Sequence, residues 1–160
     1  MAQDSSIDNV EVIKEYYESG ALYSEAPYEN GKKHGIVKFY YESGALHRVS
    51  PFVKGKKHGI QKFYRESGAL SLEIPFVNGK MHGIEKSYYE SSALEWETPY
   101  VNGEMHGIEK FYFESGAPSW EIPYENGRRH GIKKLYNKDK ANIEYLVLYK
   151  EDREVYSIKI

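Results

Sequence analysis

The chain has no cysteine. Disulfide cross-links and cysteine-ligated zinc are therefore excluded, and a reducing compartment is compatible. Charge of one sign is also lacking, with a formal net charge of −2 and a pI near 6.3. A nucleic-acid binder shows a clear basic excess for phosphate contact, and a polybasic membrane anchor needs one too. No apolar run approaches the length of a membrane span. The first residues, Met1 to Ser6, lack the basic and apolar regions of a signal peptide. These absences lead us to expect a soluble, cytoplasmic protein of 160 residues folded as one domain.

Tyrosine is abundant, at 16 residues, and glycine occurs 14 times. Together they suggest short strands and frequent turns. Their order shows why. His-Gly-Ile recurs from His34, His58, His82, His106 and His130, a step of 24 residues each time. Pro27, Pro51, Pro75, Pro99 and Pro123 keep that step, and so do Gly31, Gly55, Gly79, Gly103 and Gly127. The unit reads Glu-Ser-Gly-Ala-Leu-x-x-Glu-x-Pro-Tyr-x-Asn-Gly-Lys-x-His-Gly-Ile-x-Lys-x-Tyr-Tyr. Internal repetition of this kind governs the fold.

Each unit carries two turn signals, Glu-Ser-Gly-Ala and Asn-Gly. The second is a strong hairpin signal, because both central residues must accept positive φ. Proline and paired glycines leave no room for a useful helix. The expected fold is all-β: an elongated, twisted, single-layer antiparallel meander of tandem 24-residue β-hairpin repeats. Residues 9–137 form the repeats, beginning with a half-unit strand over Asn9–Tyr17, and residues 138–160 form a capping hairpin around Glu151-Asp152-Arg153. About thirteen strands at 4.7–4.9 Å each would span roughly 60 Å.

Two-residue loops at both turns predict a register. Lys14, Lys62, Lys86 and Lys110 then oppose Glu25, Glu73, Glu97 and Glu121, with Lys38 opposite Val49. Opposite charges across a ladder are favourable, which supports this choice. Ile, Lys and Tyr share that polar face with Ala, Glu and Pro. The other face is more apolar. Phe39, Phe63 and Phe111 are predicted opposite Leu22, Leu46 and Leu94, while Leu72, Trp96 and Trp120 form a row after Ser24 and Arg48. Tyr28, Phe52, Phe76, Tyr100 and Tyr124 face Lys33, Lys57, Met81, Met105 and Arg129, a setting for cation–π or sulfur–aromatic contact. A bulge at either turn would reassign a strand's faces.

No helix or second sheet is available to cover the apolar face. Either the sheet curls and buries it, or a partner does. Phe63, Leu72, Trp96, Phe111 and Trp120 are the candidate partner-binding residues, since tryptophan is enriched where binding energy concentrates. The alternative is that they are packing residues of a bent array. Catalysis has no candidate. The Lys/Glu pairs repeat without a distinguished copy, and no nucleophile elbow or phosphate loop is present. Successive repeat histidines would stand roughly 9–10 Å apart, too far to share a metal. No cofactor is expected.

The Tyr-x-Asn-Gly-Lys-x-His-Gly segments, such as Tyr28 to Gly35, followed by Ile-x-Lys-x-Tyr and Glu-Ser-Gly-Ala-Leu, resemble the MORN repeat family in its bacterial variant form. The resemblance covers roughly residues 10–137 and weakens at Val49, Ser92 and Pro118. It implies an extended hairpin sheet serving as a binding module. Bacterial variants are often described as antitoxin-like or immunity-like, which implies a cognate toxin as protein partner. A self-associating scaffold, including a homodimer, is the alternative implied role, with lipid-head-group binding a third that the pI and absent polybasic run oppose.

Overall fold

The computed structural model describes residues 10–139 and 142–160, and all regular structure in them is β. The first hairpin pairs β1 (Val10–Tyr16) with β2 (Leu22–Glu29). The units follow as β3 (Lys32–Lys33), β4 (Gly35–Tyr40) and β5 (Leu46–Val53), then β6 (Lys56–Lys57), β7 (Gly59–Tyr64) and β8 (Leu70–Val77). Next come β9 (Lys80–Met81), β10 (Gly83–Tyr88) and β11 (Leu94–Val101), then β12 (Glu104–Met105), β13 (Gly107–Tyr112) and β14 (Pro118–Glu125). The array ends with β15 (Arg128–Arg129), β16 (Gly131–Tyr136), β17 (Ile143–Lys150) and β18 (Arg153–Lys159). Asn9, expected at the head of the first strand, lies outside the described residues, as do residues 140 and 141 of the capping segment. Each two-residue strand runs on past one histidine into the next, so the 18 strands of the single antiparallel sheet occupy the thirteen positions expected. Among the described residues no helix is long and apolar enough to cross a membrane.

The Asn-Gly turns adopt the conformation their residues permit. Asn30 has φ 50° and Gly31 φ 73°, and Lys54 takes the asparagine's place at φ 49°. The turns also tie unit to unit. The N–H of Gly55, Gly79, Gly103 and Gly127 donates to the carbonyl of Lys33, Lys57, Met81 and Met105 in the preceding unit, at 2.8–2.9 Å. Asp152 takes the glycine's role in the cap, its N–H donating to Arg129 O at 3.0 Å while its carboxylate meets Arg129 Nε at 3.1 Å. Arg153, expected in that turn, already belongs to β18.

Within each hairpin the Lys–Glu register is the predicted one: Lys14↔Glu25, Lys62↔Glu73, Lys86↔Glu97 and Lys110↔Glu121. It is reached by a different route. The Glu-Ser-Gly turn is closed by Tyr17 N–H donating to Ala21 O, leaving a three-residue loop, and a bulge after Leu22 restores the count. The bulge moves the leucines to the tyrosine face, where Leu46 opposes Tyr40 and Leu70 opposes Tyr64.

Between hairpins the register differs from the expectation by two residues. Past the Tyr28↔Lys33 pair, His34 to Val37 face only Ala26 and Pro27 before Glu25 meets Lys38. The His-Gly step is therefore an insertion in the ladder, held by His34 N–H donating to Pro27 O at 3.0 Å. Glycine is required here: a Cβ on Gly35 would lie 3.2 Å from Pro27 Cγ, at φ +98°. In consequence Phe39 opposes Ser24 and Phe63 opposes Arg48, not Leu22 and Leu46.

The buried side chains all lie on the face of the phenylalanine row: Ser24, Ala26, Val37, Ser50, Gln61, Thr98 and Ile122. Among the described residues no second layer covers them. Small residues line the middle of this face and the larger rings beside them close over it, so the sheet supplies its own one-sided core. The opposite face keeps Ile36, Ile60, Ile84, Ile108 and Ile132 46–51% exposed.

Candidate protein-binding surface

The corrected register places all five candidate residues on one cross-strand ladder. It runs Phe39, Arg48, Phe63, Leu72, Ser87, Trp96, Phe111, Trp120, Leu135, each directly opposite the next. Ser87 interrupts it, because it stands where other units carry Phe39, Phe63 and Phe111. Phe63 and Leu72 therefore belong to one cluster, and Trp96, Phe111 and Trp120 to another. All five are half-buried.

The second cluster is a stack. Phe111 and Trp120 have ring centroids 3.7 Å apart at an interplanar angle of 17°, and Trp96 lies 6.0 Å from Phe111 on the other side. Parallel rings at these spacings attract beyond the area they bury. Lys133 Nζ stands 5.5 Å from the Trp120 ring. The first cluster is built around a cation instead. The Arg48 guanidinium sits 3.8 Å from the Phe39 centroid and 5.7 Å from that of Phe63. Burial among these rings lowers its pKa, and Arg48 Nε has no hydrogen-bond partner among the described residues. Near the Asn-Gly turns, Lys33, Lys57 and Arg129 do lie over rings, but of the following strand pair. Their partners are Phe52, Phe76 and Tyr149, at 5.7, 4.6 and 4.6 Å, because the His-Gly insertion carries each cation forward.

Sequence reasoning missed a neighbouring row on the same face. Val37, Gln61, Glu85, Glu109 and Lys133 hold the same position in successive units, one residue before the ladder lysine. Glu85 and Glu109 flank the tryptophan cluster. Burial raises both carboxyl pKa values, opposed by hydrogen bonds from Tyr100 to Glu85 and from Thr98 and Tyr124 to Glu109. The Thr98 hydroxyl donates to Glu109 at 3.0 Å. Tyr100 and Tyr124 are pushed up to about 12, by burial first and by these carboxylates next. The signal was the change of residue type down one repeat column, which no motif marks.

The other face carries the charge ladder. Glu25, Glu73, Glu97 and Glu121 hold Lys38, Lys62, Lys110 and Lys134 at 2.9, 3.0, 3.4 and 3.1 Å. Tyr40, Tyr88 and Tyr112 donate to Glu25, Glu73 and Glu97. Three of these four ion pairs join adjacent hairpins, so the ladder links unit to unit as well as within. The repeat histidines stand at the turn edge, where His34 Nδ1 lies 2.8 Å from the Glu29 carboxylate. Among the described residues, no three His, Asp or Glu side chains group to hold a metal ion.

Comparison with solved structures finds similarity to a mutant of S. aureus TarM in complex with fondaparinux, alpha-GlcNAc-glycerol and UDP. The identity is 12%, the TM-score 0.42, and the match covers 74% of this chain and 21% of that one. A second TarM structure matches at 14% identity and TM-score 0.41, over 72% of this chain and 21% of that one. The chain thus spans about a fifth of those proteins. None of the curated proteins compared with the chain matches it. The family model described as MORN repeat variant matches residues 12–30, 33–54, 57–78, 81–102 and 105–127, each segment covering one turn-to-turn unit of the sheet. With more than half of its length matched, the chain belongs to the MORN repeat variant family, whose repeats form binding modules.

Proposed function

We propose that this protein is a non-catalytic module that holds another protein on its aromatic-ladder face. The observation that carries this reading is the departure from uniformity at Trp96 and Trp120, which stack on Phe111 at 6.0 and 3.7 Å with Glu85 and Glu109 beside them. A repeat array with identical copies has no address. Two indoles confined to adjacent units give it one, and half-buried tryptophan on a preorganised surface is the usual anchor of an interface. The partner class proposed is a toxin neutralised by direct binding, on the strength of the resemblance to bacterial variants. The charged pairs of the opposite face recur unit by unit, whereas catalysis requires one asymmetric constellation.

The test is co-purification with the product of the adjacent gene, followed by Trp96→Ala with Trp120→Ala. A stable one-to-one complex is expected, weakened more than about 100-fold by the double substitution, with the far-UV spectrum unchanged. Absence of any stoichiometric partner from the native host rejects the toxin reading. Loss of folding in the double variant assigns the pair to the core alone. The scaffold reading draws on a separate observation, the exposed isoleucine row.

A further inference from the structure

Besides the aromatic ladder, a regular apolar stripe on the opposite face is open to solvent. Ile36, Ile60, Ile84, Ile108 and Ile132 are 46–51% exposed, one per unit, and the first four stand opposite Pro51, Pro75, Pro99 and Pro123. Isoleucine and proline therefore alternate strand by strand along the sheet. The adjacent ladder alternates in phase with them: lysine lies on every isoleucine strand and glutamate on the proline strands, save Val49. The lysines stand proud, 39–43% exposed against 18–22% for the glutamates they pair with. Exposed apolar side chains repeated along a whole face mark an interaction surface.

We propose that this stripe is the contact face of a homodimer, in which two copies pack face to face about a two-fold axis parallel to the strands, midway between β8 and β10. The argument is complementarity. Rotation about such an axis keeps each residue row opposite itself and reverses strand order. Placed between two strands, the axis exchanges the two strand types. Ile84 then meets Pro75 of the second copy and Ile60 meets its Pro99, while Lys86 meets Glu73 and Lys62 meets Glu97. An axis through a strand would set lysine against lysine and isoleucine against isoleucine, so charge selects the first arrangement. The junction of β8 and β10 is the choice that sets all five isoleucines against a proline of the second copy and leaves only β18 outside; at the junction of β10 and β11, Ile36 would meet β17 instead. A second copy is the one partner whose spacing matches the stripe at every step, and aligned sheets of this kind stack about 10 Å apart. The inference is independent of the aromatic ladder, which stays free on the outer face of each copy.

Sedimentation of the full chain at tens of micromolar is expected to give a dimer. Ile84→Asp, at an exposed position that folding does not bury, should weaken it more than tenfold with an unchanged far-UV spectrum. Because the chain has no cysteine, the register can be read directly. Ile60→Cys with Pro99→Cys places the thiols three strands apart within one copy, roughly 14 Å, beyond disulfide reach, yet adjacent across the axis. Oxidised glutathione should link the double variant into a covalent dimer and neither single variant. A strict monomer overturns the proposal. So does a dimer that survives Ile84→Asp and dissolves on Trp96→Ala with Trp120→Ala, or cross-linking by a single-cysteine variant.

Discussion

The two halves of the aromatic ladder share a backbone and differ in what holds them. In the N-terminal half a guanidinium lies between two phenylalanines, Arg48 with Phe39 and Phe63. In the C-terminal half the same ladder positions carry Trp96, Phe111 and Trp120, stacked ring on ring, with Glu85 and Glu109 beside them. Turn geometry and the Pro–Gly contact are the same in both, and the charge ladder runs through both halves with its one break in the repeats at Val49. The repeat therefore separates two duties. Backbone residues that recur build the sheet, and the few columns that vary decide what its face presents.

The sharpest way to break the comparison is Phe111→Ala. It removes the ring that both tryptophans stack on and should cost about 2–4 kcal/mol in denaturant unfolding. Arg48→Met, at the matching place in the other half, should be neutral or slightly stabilising, because it replaces a desolvated cation by an apolar side chain of similar length. An equal cost at both sites would mean that the stack is no different from the cation–ring packing. Next in size are Gly59→Ala and Gly107→Ala. An added Cβ would lie 3.1 and 3.0 Å from Pro51 and Pro99 Cγ, at φ +109° and +115°. Each should cost about 1–3 kcal/mol, and by the same amount in either half. A twofold difference in cost would show that the halves differ in backbone as well.

Glu109→Gln should stabilise by up to about 1 kcal/mol at neutral pH. Burial raises the Glu109 carboxyl pKa in the folded chain. The folded state thus holds its proton more tightly than the unfolded state, and ionisation is penalised only once pH rises above the ordinary glutamate range. The gain from glutamine should accordingly grow between mildly acidic and neutral pH and vanish in acid, where the carboxyl is already neutral. Melting of both chains across that range checks it; a gain that persists in acid rules out the desolvation account. The smallest effects are expected at two residues that strain a turn, one in each half. Lys54 at φ 49° and Ser92 at φ 68° occupy positions where other units carry asparagine and glycine. Lys54→Asn and Ser92→Gly should each stabilise by roughly 0.5–1 kcal/mol, measured as a shift in denaturation midpoint.

The sequence alone determined a good deal. The 24-residue period, the Asn-Gly hairpins and the Lys–Glu pairs within them were legible because each rests on neighbours close along the chain. Membership of one face was legible too, since side chains alternate along a strand and a slip of two residues preserves the alternation. That is why Phe63, Leu72, Trp96, Phe111 and Trp120 were placed on a common face, and why the pairs Phe63↔Leu72 and Phe111↔Trp120 follow from the Lys–Glu register inside each hairpin, although the partners between hairpins were misassigned. Only the tertiary structure decided those partners. The His-Gly step adds residues to one strand that its neighbour does not match, and the leucine bulge compensates a longer loop. Nothing local distinguishes these from a plain hairpin. Their reason is non-local: His34 N–H must reach Pro27 O and Gly55 N–H must reach Lys33 O of the unit before. Those two contacts put Arg48 between phenylalanines, Ser87 between Leu72 and Trp96, and Glu109 beneath Tyr124.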